Sequence, residues 1–222
     1  MKKLLTLTMA LLMVLTLTGC GSSEKEPEKE VEFGLGTVET GVYKNEYLGI
    51  GFKMERAGMH EVDNGSSNYR TQIKPENLDA FITNNMIVEL LAQSYEGNSF
   101  NQDAFNWIMS IEEVKDRNNT IEVKNFMADK RASRVESAAG TYTNLEDKDI
   151  TVKIGKTEFT GFELLFTANA NIKGGEHHIL RKKGEYCYYI TLLDFYVGSE
   201  NKTYDQIRDN LDSWVSTYFY GL

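Results

Sequence analysis

The sequence predicts an α+β domain: a single antiparallel β-sheet flanked by helices, placed behind an N-terminal leader and a flexible tether. Three observations carry this. Stretches of alternating apolar and polar residues recur, two pairs of them meet at short glycine-bearing turns, and the C-terminus has apolar residues at helical spacing. Hydrophobic residues make up 41% of the 222 and aromatics 11%, which supplies a core and excludes a chain disordered throughout.

Met1-Lys2-Lys3 is a short positive stretch, and Leu4 to Leu17 is apolar apart from Thr6, Thr8 and Thr16. This is the layout of a secretory signal, and it is shorter than the ~20 residues that a spanning helix needs. The run closes on Leu17-Thr18-Gly19-Cys20, which resembles the lipobox of bacterial lipoproteins, Leu-x-Gly-Cys. The resemblance implies a signal peptide over residues 1–19, a cut before Cys20, and a diacylglyceryl group on its thiol, with acylation of the new amine. Membrane lipid is then a partner through acylated Cys20, and the chain sits on the extracytoplasmic face of the cell membrane. Loss of Lys2 and Lys3 would leave 22 basic against 33 acidic residues, a charge of −11. Such a balance argues against nucleic acid, whose phosphates need clustered Lys and Arg.

Residues 20–40 read as a lipidated acidic tether. Gly21 to Gly36 holds Pro27, Lys25, Lys29 and glutamates at 24, 26, 28, 30 and 32, which cannot bury enough surface to order themselves. Twenty flexible residues span roughly 25 Å. The domain is expected over 41–222. Val42–Asn45 and Tyr47–Met54 read as extended, with Leu48, Ile50, Phe52 and Met54 on one row. Met59 to Thr71 reads as loop. Pro75 opens a predicted helix whose stripe of Leu78, Phe81, Ile82, Met86 and Leu90 runs to about Ala92.

Phe105 to Val114 alternates as a strand, with Phe105, Trp107, Met109 and Ile111 sharing one side. Asn119-Thr-Ile-Glu122 resembles a capping box, so a helix is predicted from about Thr120 to Ala138. Asp149–Ile154 and Thr157–Thr167 flank Gly155-Lys156, a pair that suits a type II′ hairpin. Glu176–Lys182 and Glu185–Phe195 flank Lys183-Gly184 in the same manner. Thr203-Tyr-Asp-Gln206 then caps a final helix with Tyr204, Ile207, Leu211, Trp214, Val215 and Tyr218 on its apolar face.

Gly41-Val-Tyr-Lys-Asn-Glu-Tyr-Leu-Gly-Ile-Gly-Phe52 is similar to the opening hairpin of small lipoproteins with the PsbP-like fold, a pattern met by Tyr43, Asn45, Gly49 and Phe52. Lys153 to Phe162 resembles that family's middle hairpin, and Lys183 to Thr191 its penultimate strand. The stretch Met54 to His60 lacks the Pro-x-x-Trp common after the second strand. The resemblance implies the α+β fold over about 41–219. Its members do unrelated jobs, so the fold implies little about function.

Candidate chemistry is sparse. His177 and His178 are adjacent in a predicted strand, so they point to opposite faces and cannot chelate one metal together. His60 has no acidic or cysteine cluster at ligand spacing, and no metal or cofactor is expected. Glu112-Glu113 and Asp147/Asp149 are carboxylate pairs, read as solvated surface charge. Lipidation would leave Cys187 alone, in an apolar strand that suits a buried, inert thiol. Tyr186, Tyr188, Tyr189 and Tyr196, with Tyr218, Phe219 and Tyr220, either recognise a ligand or fill the core. The expectation is a non-catalytic binding or accessory module that meets an envelope protein or a small ligand. The alternatives are a solute-binding component of a transporter and an envelope hydrolase.

Overall fold

Two antiparallel sheets form where the sequence predicts one. The computed structural model describes residues 31–62, 73, 75–83, 86–97, 99–116, 118, 120–169, 172–198 and 204–222. Leu17-Thr18-Gly19-Cys20, the leader, and the tether as far as residue 30 lie outside the described residues, as do Asn119 and Thr203.

The small sheet has the order β1 (Thr37–Glu39), β2 (Val42–Asn45), β3 (Ile50–Lys53) and β11 (Phe219–Gly221). The large sheet holds seven strands in the order β4 (His60–Glu61), β5 (Ile87–Gln93), β6 (Ala104–Lys115), β10 (Tyr186–Val197), β9 (Ile172–Lys183), β8 (Thr157–Asn169) and β7 (Thr143–Ile154). Every neighbouring pair is antiparallel. Among the described residues three α-helices complete it, α1 (Pro75–Ile82), α2 (Val123–Ala139) and α3 (Tyr204–Tyr218), with one 3-10 turn at Glu55–Ala57. The coarse expectation of antiparallel β-structure with helices holds.

Alternation decides how the large sheet is covered. Trp107, Met109 and Ile111 of β6 and Ile190 and Leu192 of β10 line the inner face, against the small sheet, α1 and α3. Phe162, Leu164, Leu180 and Tyr189 line the outer face, where they meet α2. Both predicted hairpins use two-residue turns with glycine first: Gly155 has φ 59° and Gly184 φ 58°. A positive φ at that position is what a type II′ turn demands. The second turn is therefore Gly184-Glu185, one residue beyond the predicted Lys183-Gly184.

Three expectations are corrected. The compact unit starts at Phe33, so the stretch 33–40, predicted as tether, is packed into the domain: β1 pairs with β2, and Phe33 stacks on Tyr186 at 3.5 Å. The helix from Pro75 ends at Ile82, and Ile87–Gln93 is a strand instead. Its stripe had helical spacing, but this segment completes the sheet between β4 and β6, and that pairing overrides local pattern. Finally, α2 begins at Val123, which makes Glu122 the N-cap and not the end of a capping box. Asp116 takes over the turn before it, accepting the Thr120 N–H at 2.8 Å, the Ile121 N–H at 2.7 Å and Lys182 Nζ at 2.7 Å. Burial pushes the Asp116 carboxyl up, but these donors outweigh it and hold the group at about 2.

Candidate functional site

Helix α2 packs across β7, β8 and β9 on the outer face through a narrow seam, with only Met127 and Ala138 fully buried along it. An amphipathic helix with a wide apolar stripe would seal the sheet. This one leaves a groove on each flank.

On the flank towards β5 and β6 the groove has a volume of about 340 Å³. Leu91, Ile108 and Leu193 form an apolar floor, while Ser110, Glu112 and Thr191 supply polar groups from the sheet and Lys130 and Arg134 from α2. Strand register places the rest: Thr191 of β10 lies opposite His178 of β9, and Leu193 opposite Glu176. A hydrogen-bonded chain lies along the wall. The Arg134 guanidinium forks onto the Glu176 carboxylate at 2.6 to 3.0 Å, and Glu176 Oε2 lies 3.1 Å from His178 Nε2. His178 Nδ1 in turn lies 2.6 Å from the Tyr189 hydroxyl.

Protonation follows from these contacts. Burial pushes the Tyr189 phenol up to about 12, so the hydroxyl keeps its proton and donates it to Nδ1. Burial also lowers the His178 pKa, with Glu176 opposing, so the ring is neutral and its Nε2–H donates to Glu176. Burial raises the Glu176 carboxyl, but His178 and Arg134 outweigh it and keep it ionised. The tautomer of His178 is thereby fixed. Two cations, Lys130 and Arg134, face two carboxylates, Glu112 and Glu176, so the groove is charge-balanced.

On the other flank a groove of about 800 Å³ runs between α2 and β7–β8. Val123, Met127, Ala128, Ala132 and Val135 face Phe162 across it, and Arg131 bridges the rim to Asp147 at 2.9 Å and Asp149 at 2.6 Å.

The predicted site residues scatter. His177 and His178 take opposite faces of β9, as alternation requires. Among the described residues no group of three His, Cys, Asp or Glu is placed to hold a metal ion. The Asp147/Asp149 pair is exposed and bound by Arg131, whereas Glu113, expected on the surface, is fully buried. Cys187 is buried, and burial pushes its thiol up to about 11. Tyr186, Tyr188 and Tyr196 are buried as core, whereas Tyr189, buried as well, also lines the groove beside α2. Arg134 and Glu176 escaped notice because single charges on a helix and a strand carry no spacing signal; His178 was marked by its rarity and Tyr189 by the clustering of tyrosines on its strand.

The fold and site together define an α+β antiparallel domain with a solvent-open polar groove beside its outer helix. Compared with protein-family models, curated proteins and solved structures, the chain finds no match in any of the three. No helix among the described residues is long and apolar enough to cross a membrane.

Proposed function

We propose that this chain is a lipoprotein, tethered to the extracytoplasmic face of the cell membrane through acylated Cys20, whose PsbP-like domain binds a ligand without turning it over. The observation that carries the binding role is the polar groove beside α2. Its hydrogen-bonded wall of Arg134, Glu176, His178 and Tyr189 holds polar groups in fixed orientation above an apolar floor, as small-ligand sites do. Charge balance suits a neutral or zwitterionic solute, or a peptide segment, better than a polyanion. Support for a non-catalytic role comes from the same wall: a phenol pushed up to about 12 is not an activated nucleophile. The large antiparallel sheet with α2 on one face and α3 on the other supports the PsbP-like assignment. For the anchor, support comes from Leu17-Thr-Gly-Cys20 closing an apolar run too short to span.

A thermal-shift screen of sugars, amino acids, short peptides and ions tests the groove. A ligand at a hundred times its Kd stabilises by about 2.7 kcal/mol, which a melt resolves. Ser110→Trp, which fills the groove from β6, should abolish the shift while leaving the unliganded melt cooperative. An undiminished shift in Ser110→Trp would move the ligand elsewhere.

A further inference from the structure

A second polar cluster lies inside the domain, on the opposite face from the groove and beneath residues 33–39. This segment crosses the core as a strap. Phe33 stacks on Tyr186 at 3.5 Å and meets Tyr47 edge-on at 5.5 Å, while Leu35 and Val38 pack on the core. The Gly36 N–H donates to the Glu89 carboxylate. Only glycine fits there, since a Cβ would overlap both the Tyr43 ring and Glu89.

Glu89 is the bulged residue of β5, where register slips between Val88 and Leu90. It also accepts the Tyr43 hydroxyl at 2.7 Å and Asn45 Nδ2 at 3.2 Å, both from β2. Glu113 of β6 and the Tyr188 hydroxyl of β10 complete the cluster. Glu89, Glu113, Tyr43 and Tyr188 are each 0% exposed. Neither the Glu113 oxygens nor the Tyr188 hydroxyl reaches a partner at ordinary hydrogen-bond geometry, although Tyr188 and Glu89 both lie close enough to Glu113 to interact with it. The nearest cation along β6, Lys115, is turned to Asp79 and Glu185. Glu89 and Glu113 interact directly, with no cation beside them among the described residues, and two such buried carboxylates cannot both ionise. Three donors converge on Glu89, whereas Glu113 has only the Tyr188 hydroxyl beside it, so charge belongs on the first and a proton on the second.

We propose that Glu89 and Glu113 form a one-proton site that governs the docking of the strap: Glu113 holds the proton and shares it with Glu89, whose charge grips Gly36. The ligand of this site is the proton itself. Burial and then the neighbouring Glu89 charge hold the Glu113 carboxyl well above its usual range, and burial also raises Glu89, against the bonds from Tyr43, Gly36 and Asn45. Loss of the proton leaves two repelling charges under the strap, and only lifting residues 33–39 admits water to them. The strap is also where the chain leading from Cys20 joins the domain, so the site links local acidity to the seat of the tether.

Hydrogen exchange of the Gly36 and Val38 amides, measured on the full chain as a function of pH, tests this. Opening that releases one proton must lower the protection factor tenfold per pH unit, between the ordinary glutamate pKa of 4.5 and the raised value of Glu113. Glu113→Gln, neutral at every pH, should show a flat profile there; Glu89→Gln should lose strap protection throughout while β6 and β10 stay protected. Carboxylate NMR of the wild type should show one glutamate titrating far above the rest. A pH-independent protection factor in the wild type, or all glutamates titrating near 4.5, would overturn the proposal even if a variant failed to fold.

Discussion

Between Asp194 and Glu163, inside the core, His177 is 2% exposed. Its Nε2 lies 2.7 Å from Asp194 Oδ1 and its Nδ1 3.5 Å from Glu163 Oε2, so both ring nitrogens face carboxylates and both carry protons. Burial lowers the His177 pKa, but Asp194 and Glu163 outweigh it and push it up to about 9. Burial raises the Asp194 carboxyl, opposed by the His177 charge. A histidine raised from 6.5 to about 9 stabilises the fold fully below pH 6.5, and that contribution is lost as pH rises through 9. Urea melts should therefore lose stability across this window in the wild type. Glu113 contributes a decline of the same sign, so the decisive quantity is the difference in slope against His177→Gln, which should be shallower. Identical slopes would mean that the imidazole is neutral in the fold. The adjacency of His177 and His178 told which faces they take; that one is an ion inside the core and the other a neutral link beside a groove depended on partners far along the chain.

At the scale of elements, α3 is the best test of what local pattern can say. Leu211 and Trp214 are buried as the spacing predicts, with Trp214 stacked on Trp107 at 4.6 Å and tilted against Phe52 at 5.4 Å. Trp214→Ala should cost about 3–5 kcal/mol in urea melts, whereas Asp212→Ala, exposed on the same helix, should stay within about 0.5 kcal/mol. Equal effects would contradict the stacked geometry. The long strands were legible for similarly local reasons, β6 through its alternation and β8, β9 and β10 through the glycine-bearing turns beside them. Strand β5 was not. Ile87 to Gln93 has apolar residues on both sides and a bulge at Glu89, so no period of two survives in its sequence. The groove was legible only in fragments, because its wall joins Arg134 of α2 to Glu176 of β9 across 42 positions of sequence.

The whole molecule sets two further expectations. A chain beginning at Phe33 should melt like the full one, while a chain beginning at Gly41 loses β1, the Phe33–Tyr186 stack and the Gly36–Glu89 bond, and should melt lower. Equal melting would show that the strap contributes nothing to stability. Cys20→Ala should abolish labelling by a fatty-acid analogue; label retained by that variant would place the lipid on another residue. The packing of 33–40 was hidden by its glycines, which read as linker until Glu89 is seen to need one of them. One last feature concerns β7, twelve residues at the rim of the large sheet with no strand on its outer side among the described residues. Such a rim is a template for cross-β association, and under the proposed lipid anchor the chain would meet its own copies in two dimensions, at high effective concentration. Glu146, Asp147, Lys148, Asp149 and Lys153 crowd that rim with charge, and a second copy could pair there only by stripping water from them. What the sequence spends on charge along β7 keeps neighbouring copies from fusing into one continuous sheet.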